Sequence, residues 1–330
     1  MKKIVKFFTL LTLLSVFLPS LRAELGIALT LNRLRFMKYE KIYACITVRN
    51  DSGRPLMFGE RPELQGFVLF DIRNLQGRPV PRRNGQEISV TGLFLAPGEI
   101  KRMVIPLDKY YDLTDSGTYF IYAYVGHNRL SREYRSKEIR FVVSEGVDVW
   151  SHNVGLPDLN SDTGKSNKLQ ERRYSVAVLS ENGTRSYYLK VEDPGRVIAV
   201  TRIGHEVGYE KFQAEVDMLS RLHLLIPVAP RVFHYMSFNY DGVNIVNSYW
   251  KTSGTIPMLF RDEHSGKVTR IGGVEAVKGR DYRDPRDGKL TIADLTGEQR
   301  QKTSEVQLQR ETGVIDLGKD VLPRKAADEQ

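Results

Sequence analysis

The chain has 330 residues, a formal charge of +9 and one cysteine. A single thiol excludes a disulfide-built scaffold, so the folded parts must hold by packing. With 41% hydrophobic and 27% charged residues the composition is that of a globular chain of about two domains. Its Lys and Arg are spread rather than clustered, which excludes the basic stripe of a nucleic-acid binder.

Lys2, Lys3 and Lys6 precede an uncharged, mostly apolar run from Phe7 to Leu18. Pro19 ends the run, and Leu21-Arg22-Ala23 closes on a small residue. This is the layout of a secretory signal over residues 1–23. The run is about 12 residues, against the roughly 20 a membrane helix requires. An uncleaved anchor is the competing reading, because Leu21 stands where a small residue is preferred. No Cys follows the run to carry a lipid. The expectation is a periplasmic or secreted protein with no transmembrane span once the signal is removed. Lys2, Lys3, Lys6 and Arg22 carry nearly half of the net charge. The mildly basic remainder suits acidic polysaccharide or envelope surfaces.

From residue 24 to 146 the pattern is short strands between turns. Ile42, Ala44, Ile46 and Val48 alternate with Tyr43, Cys45, Thr47 and Arg49, the period of a strand with one buried face. Cys45 therefore reads as a small buried residue rather than a nucleophile. Asn50-Asp51-Ser52-Gly53-Arg54-Pro55 has turn chemistry. Strands are predicted at Phe67–Ile72, Met103–Ile105, Tyr119–Val125 and Ile139–Val143, with turns at Asn74–Gly77 and Leu95–Gly98. Regular short strands without helical segments predict a β-sandwich or barrel. Phe120, Tyr122 and Tyr124 alternate with Tyr119, Ile121, Ala123 and Val125. If the second set faces the core, three aromatics line the outer face as a candidate ligand stripe, unless a second domain covers them.

Asp115-Ser116-Gly117-Thr118-Tyr119 has the spacing D-x-G-x-Y. It resembles the tyrosine corner of immunoglobulin-like sandwiches, which implies structural roles for Asp115, Gly117 and Tyr119, the Tyr hydroxyl bonding to backbone upstream. Ile121 stands where antibody domains carry a cysteine. Ile46–Asn50 together with Leu95–Glu99 is also similar to the bacterial proteinase-inhibitor type of that fold, a family that export contradicts.

Residues 147–172 shift to Asn, Asp, Ser, Gly and Lys and read as a linker. Within them Asp158, Asn160 and Asp162 offer oxygens at positions 1, 3 and 5, a candidate site for calcium. The Gly of a calcium loop comes one residue late at Gly164 and the bidentate acid two late at Glu171, so a plain Asx-rich loop competes. Otherwise no cofactor is indicated.

Residues 173–276 hold a candidate internal repeat. Offset by 47 residues, Ser175–Leu179 falls on Leu222–Ile226, Tyr188 on Tyr235 and Gly195 on Gly242. Each copy reads as strand, turn, aromatic strand, Gly turn, strand. Val216-Asp217 with Arg221–Leu225 is similar to sialidase-type propeller blades, although the Asp-box of those blades is missing from both copies. The repeat makes Tyr188, His223, His234 and Tyr235 candidate ligand residues. Phe212, Val216, Leu219 and Leu222 also fit a helical spacing, the alternative for that stretch. His205-Glu206-Val207-Gly208-Tyr209 lacks the second His of a zincin helix and is rejected as a metal motif.

Residues 277–330 balance acid against base and contain one aromatic, Tyr282. They are expected to be a disordered tail. The fold expectation is thus mostly β: an immunoglobulin-like sandwich, a second β domain of two repeat-like units, and the tail. With no catalytic constellation, the functional expectation is a non-enzymatic binding or scaffold protein of the bacterial cell envelope with a protein or polysaccharide partner. The alternatives are a secreted protease inhibitor acting through Arg83-Asn84-Gly85-Gln86, and a glycan-binding or glycan-active protein.

Overall fold

In a computed structural model of the protein, the structure describes residues 24–157, apart from 84 and 86, and residues 169–282, apart from 182 and 209. Residues 1–23, read above as a signal, the loop carrying Asp158, Asn160 and Asp162, and residues 283–330 lie outside the described residues. Strands dominate. Among the described residues, no helix is long and apolar enough to cross a membrane.

The first domain is a sandwich. One sheet joins β1 (Leu25–Leu31), β3 (Tyr43–Asn50) and β7 (Ile100–Pro106). The other runs in the order β2 (Arg35–Met37), β10 (Ile139–Ser144), β8 (Gly117–His127), β5 (Gly66–Asn74), with β9 (Tyr134–Arg135) also on β8. A short pair, β4 (Leu56–Met57) and β6 (Phe94–Leu95), closes one end, and a single helical turn, α1 (Leu107–Tyr110), follows β7. The opening segment is shared: β1 pairs antiparallel with β3, and β2 crosses over to pair parallel with β10. Alternation explains the core. Ala44, Ile46 and Val48 of β3 meet Tyr119, Ile121, Ala123 and Val125 of β8 in one buried cluster. Cys45 is buried on the other side of β3.

Polar side chains pin the turns of this sandwich. Buried Asn50 donates through Nδ2 to the carbonyls of Arg54, Leu95 and Ala96, and its Oδ1 accepts from Ser52. Two turns far apart in sequence are thereby tied together. The Tyr119 hydroxyl donates to the Asp115 carbonyl at 2.7 Å, the bond the D-x-G-x-Y spacing implies.

The second domain is also a sandwich, of two sheets with the same meander order. The first is β11 (Val147–Pro157), β12 (Leu169–Glu181), β13 (Thr184–Asp193) and β14 (Arg196–His205). The second is β15 (Gln213–Val216), β16 (Leu222–Ala229), β17 (Val232–Phe238) and β18 (Asn244–Lys251), extended by β21 (Val274–Glu275). A hairpin of β19 (Met258–Arg261) and β20 (Val268–Ile271) leans on β15, with Leu259 N donating to Gln213 Oε1 at 2.8 Å. The 47-residue offset holds between β13 and β17, but between β12 and β16 it is 48, because Ala177 pairs with Tyr188 as Leu225 pairs with Tyr235. The expected match of Ser175–Leu179 with Leu222–Ile226 is therefore one residue out and sets outward residues on core ones. The two meanders stack face to face. Tyr174, Val176, Tyr187, Leu189 and Val191 of one interleave with Leu222, Leu224, Ile226, Met236 and Phe238 of the other. The strands at 213–216 and 222–229 exclude the helical alternative there.

Gly195 and Gly242 occupy corresponding turns with φ of 81° and 77°, the region that glycine enters without a Cβ penalty. Gly242 is doubly constrained, because a Cβ there would stand 2.9 Å from Ala199 Cβ of the facing sheet.

Two expectations require correction. Residues 147–157 are not linker but an edge strand, paired along its length with β12. Its polar residues face solvent while Trp150 and Val154 pack on the core, so one apolar face sufficed. The tail does not begin at 277. Asp281 accepts from Lys251 Nζ and from Val277 N, both at 2.8 Å, and Tyr282 stacks on Tyr249 with centroids 4.0 Å apart. The sandwich therefore includes at least residues 277–282.

The two sandwiches meet through Met37, which joins Ala177, Leu179, Tyr188 and Val200 in a small apolar cluster. The crossing residue is Gly146, where a Cβ would lie 3.1 Å from that of Ala177. A side chain there would be a tight fit against Ala177 and the Val178 carbonyl.

Candidate functional site

The expected ligand residues fall into four separate places. Phe120, Tyr122 and Tyr124 lie half-exposed on the outer face of β8, because Tyr119, Ile121, Ala123 and Val125 take the core. β8 is an interior strand, so the rings stand on a rigid support. Cross-strand pairing sets Arg73 opposite Phe120, Asp71 opposite Tyr122 and Leu69 opposite Tyr124. Asp71 and Arg73 form a fork, with Nε to the two carboxylate oxygens at 3.0 and 3.1 Å. The Tyr122 hydroxyl donates to Glu138, which pushes its titration upward, and the Arg135 guanidinium lies 4.8 Å from the Tyr122 ring centroid. These groups line a shallow depression of about 410 Å³. The second sandwich docks elsewhere on the first, through Met37, and the stripe is left half-exposed beneath Arg135.

Tyr188 is in a different setting. It points outward from its own sheet yet is buried, 2% exposed, under the first sandwich. Its hydroxyl accepts from Arg33 Nη1 at 3.0 Å.

His223 and Tyr235 come together on the outer face of the other sheet. His223 Nδ1 lies 2.8 Å from the Tyr235 hydroxyl and Nε2 lies 3.3 Å from Asp217 Oδ2. Asp217 also accepts from the backbone N–H groups of Leu219 and Arg221 and from Arg221 Nε at 2.8 Å. Burial works to raise the Asp217 carboxyl, but the N–H of Arg221, His223 and the Arg221 guanidinium outweigh it and hold it below its ordinary value. Burial pushes His223 down against the pull of Asp217, so the imidazole is neutral near pH 7. Asp217 can only accept, so Nε2 carries the proton and Nδ1 accepts from Tyr235. Burial raises the Tyr235 phenol, the opposite of what an activated nucleophile requires. The trio therefore acts as a latch that closes the β15–β16 turn onto β17.

His234 does not join them, which corrects its grouping with Tyr235. Neighbouring residues of a strand face opposite sides. His234 instead stacks on Tyr249, centroids 4.2 Å apart, and bonds to Asn247.

Asp158, Asn160 and Asp162 fall outside the described residues, as do Asn84 and Gln86 of the loop considered for protease inhibition. Among the described residues no group of three His, Cys, Asp or Glu side chains is placed to hold a metal ion.

Sequence reasoning missed the charged contacts between distant strands. Arg172 is buried, grips Asp193 through Nε and Nη2 at 2.7 and 3.0 Å, and reaches the Tyr240 carbonyl and Asp241 with Nη1. It thereby ties the two repeat units together. Arg33, Arg202 and His205 gather at the junction of the sandwiches. Arg172 carried no signal, because it stands among Gln170, Glu171 and Arg173 at the end of the stretch that reads as linker. Arg33 and Arg202 had none.

No protein-family profile and no curated protein matches the chain. Among solved structures, the sporulation control protein Spo0M of Bacillus subtilis aligns with 55% of this chain and 90% of its own, at 9% identity and a TM-score of 0.25. An uncharacterized protein of Listeria monocytogenes aligns with 68% of this chain at 8% identity and a TM-score of 0.20, and this chain spans 20% of its length. At such TM-scores neither likeness carries an argument.

Proposed function

We propose that this chain is an exported, non-enzymatic binding or scaffold protein of the bacterial cell envelope, and that its first sandwich takes a polysaccharide on the outer face of β5, β8 and β10. The observation that carries this reading is the open stripe of Phe120, Tyr122 and Tyr124 on an interior strand, bordered by the Asp71–Arg73 and Tyr122–Glu138 pairs. Flat rings with a few fixed polar groups beside them match the apolar faces and hydroxyls of a saccharide. The basic excess of the chain favours an acidic one. We read the first sandwich as immunoglobulin-like, supported by the Tyr119–Asp115 bond and by the division of the first strand between the sheets. The blade-like reading of the second rests on its two four-strand meanders.

The test uses mature protein beginning at Glu24, the residue at which N-terminal sequencing of envelope-derived protein is expected to start. Retention on polygalacturonate, with neutral dextran as control, is measured for the wild type and for Tyr122→Ala and Tyr124→Ala. Each variant is expected to bind at least about tenfold more weakly, the scale of one anchoring aromatic. A wild type that neither acid nor neutral saccharide retains, or variants retained equally, would sink the proposal. Inhibition of an extracellular protease would then favour the inhibitor reading.

A further inference from the structure

We infer that the junction between the two sandwiches is an oxyanion site, built by Arg202 and His205 with Arg33, Ser186 and Tyr188, that takes a phosphate, sulfate or carboxylate group. It is separate from the aromatic stripe and does not depend on it.

The placement follows from register. On β13, Ser186 and Tyr188 point outward from the second sandwich. Pairing with β14 sets His205 opposite Ser186 and Arg202 opposite Tyr188, so all four share one patch of the sheet. The segment between β1 and β2 brings Arg33 down onto the same patch, where Nη1 donates to the Tyr188 hydroxyl. Arg202 Nη2 donates to Ser186 Oγ at 2.8 Å and lies 3.0 Å from His205 Nε2. Ser186 is buried, while Arg202 and His205 are half-exposed, which gives a floor of hydroxyls and a cationic mouth.

The charges at this patch are not balanced. Arg33 pairs with Glu40, and Glu181 on β12 also acts on Arg33. The neighbouring Arg35 points to the Ser180 carbonyl, and Glu206 is engaged by Arg185 and Tyr187. Among the described residues none of these carboxylates reaches Arg202, and its buried Nε has no hydrogen-bond partner. A buried guanidinium N–H without an acceptor is costly, and its fork geometry matches an oxyanion. His205 is held below its ordinary value by burial first, then by Arg202 and Arg33, with no carboxylate pulling the other way. An anion that displaces the imidazole from Arg202 supplies the missing acceptor at Nε and reverses the field at His205. Binding is therefore coupled to protonation of His205.

The experiment follows the His205 imidazole by NMR across a pH titration of the mature protein. Inorganic phosphate, inorganic sulfate and galacturonate are added separately at constant ionic strength. A saturable response is expected, with the His205 midpoint displaced upward and binding tighter at pH 5.5 than at pH 7.5. Arg202→Gln is expected to lose at least tenfold in affinity and the displacement with it, whereas exposed Arg196→Gln keeps both. Arg202→Lys, which retains charge but not the fork, serves where the Gln variant fails to fold and is expected to weaken binding. Response to phosphate or sulfate alone assigns a tetrahedral anion, and response to galacturonate alone assigns a carboxylate. No saturable response to any of the three, or an equal response in both Arg202 variants, overturns the site. Tyr122→Ala is expected to leave the response intact, so failure of the stripe and failure of this site are read separately.

Discussion

Tyr188 and Tyr235 stand at the same position of the two units of the second sandwich, and both rings point away from the shared core. Their surroundings have nothing in common. The first sandwich buries Tyr188 and hands its hydroxyl to Arg33. Tyr235 stays half-buried and closes a chain through His223 to Asp217. Between β13 and β17 the direction of the side chain is thus the same in both units, because it is set by strand register. The partner is not the same, because it depends on what docks against the outer face of each sheet. Equivalent positions in a duplicated fold need not share a function.

The largest expected effect tests whether the units form one body. Arg172→Ala breaks the ion pair with Asp193 and removes the bond to the Tyr240 carbonyl on the other unit. A loss of about 3 kcal/mol or more is expected in chemical denaturation, the range for breaking one side of a buried ion pair. A loss under about 1 kcal/mol would mean that the units are held together by their apolar faces alone.

Next comes the pair of tyrosines. Tyr188→Ala empties a fully buried ring site and should cost about 3 kcal/mol. Tyr235→Ala removes a half-buried ring and should cost about half as much by the same measurement. Equal losses would erase the distinction drawn between the two faces.

A pH series sharpens it further. The folded-state titration of His223 is depressed from its ordinary value of 6.5, chiefly by burial. The unfolded chain therefore takes up a proton near pH 6.5 while the folded chain does not. Stability is complete above that pH and declines as the pH falls toward the folded midpoint. His205 is depressed too and contributes with the same sign. His223→Gln should therefore flatten the decline between pH 6.5 and 5 without abolishing it. An unchanged slope would place all the linkage at the junction.

The smallest effect is a calibration within the first sandwich. Tyr119→Phe deletes one hydrogen bond, to the Asp115 carbonyl, and keeps the ring stacked on Phe141. About 1 kcal/mol of stability should be lost, read as a shift in thermal midpoint. No shift would deprive the immunoglobulin-like reading of its most specific support.

Local features of this chain are legible in its sequence. Alternation of period two marks Ala44–Val48 and Tyr119–Val125 and selects which aromatics of β8 face outward, because a pleated strand has only two sides. The Asp115–Tyr119 spacing announces a bond four residues long, and the 47-residue offset announces two like sheets. Composition misled where a strand needed only one apolar face: Val147–Pro157 looked like linker because Trp150 and Val154 were enough to dock it. The tertiary structure alone decided the rest. Arg172 meets Asp241, Arg33 meets Tyr188, and Asp217 meets His223 across turns and sheets. No periodicity records such pairings, since they depend on which faces of separate sheets come together and how far each is taken out of water.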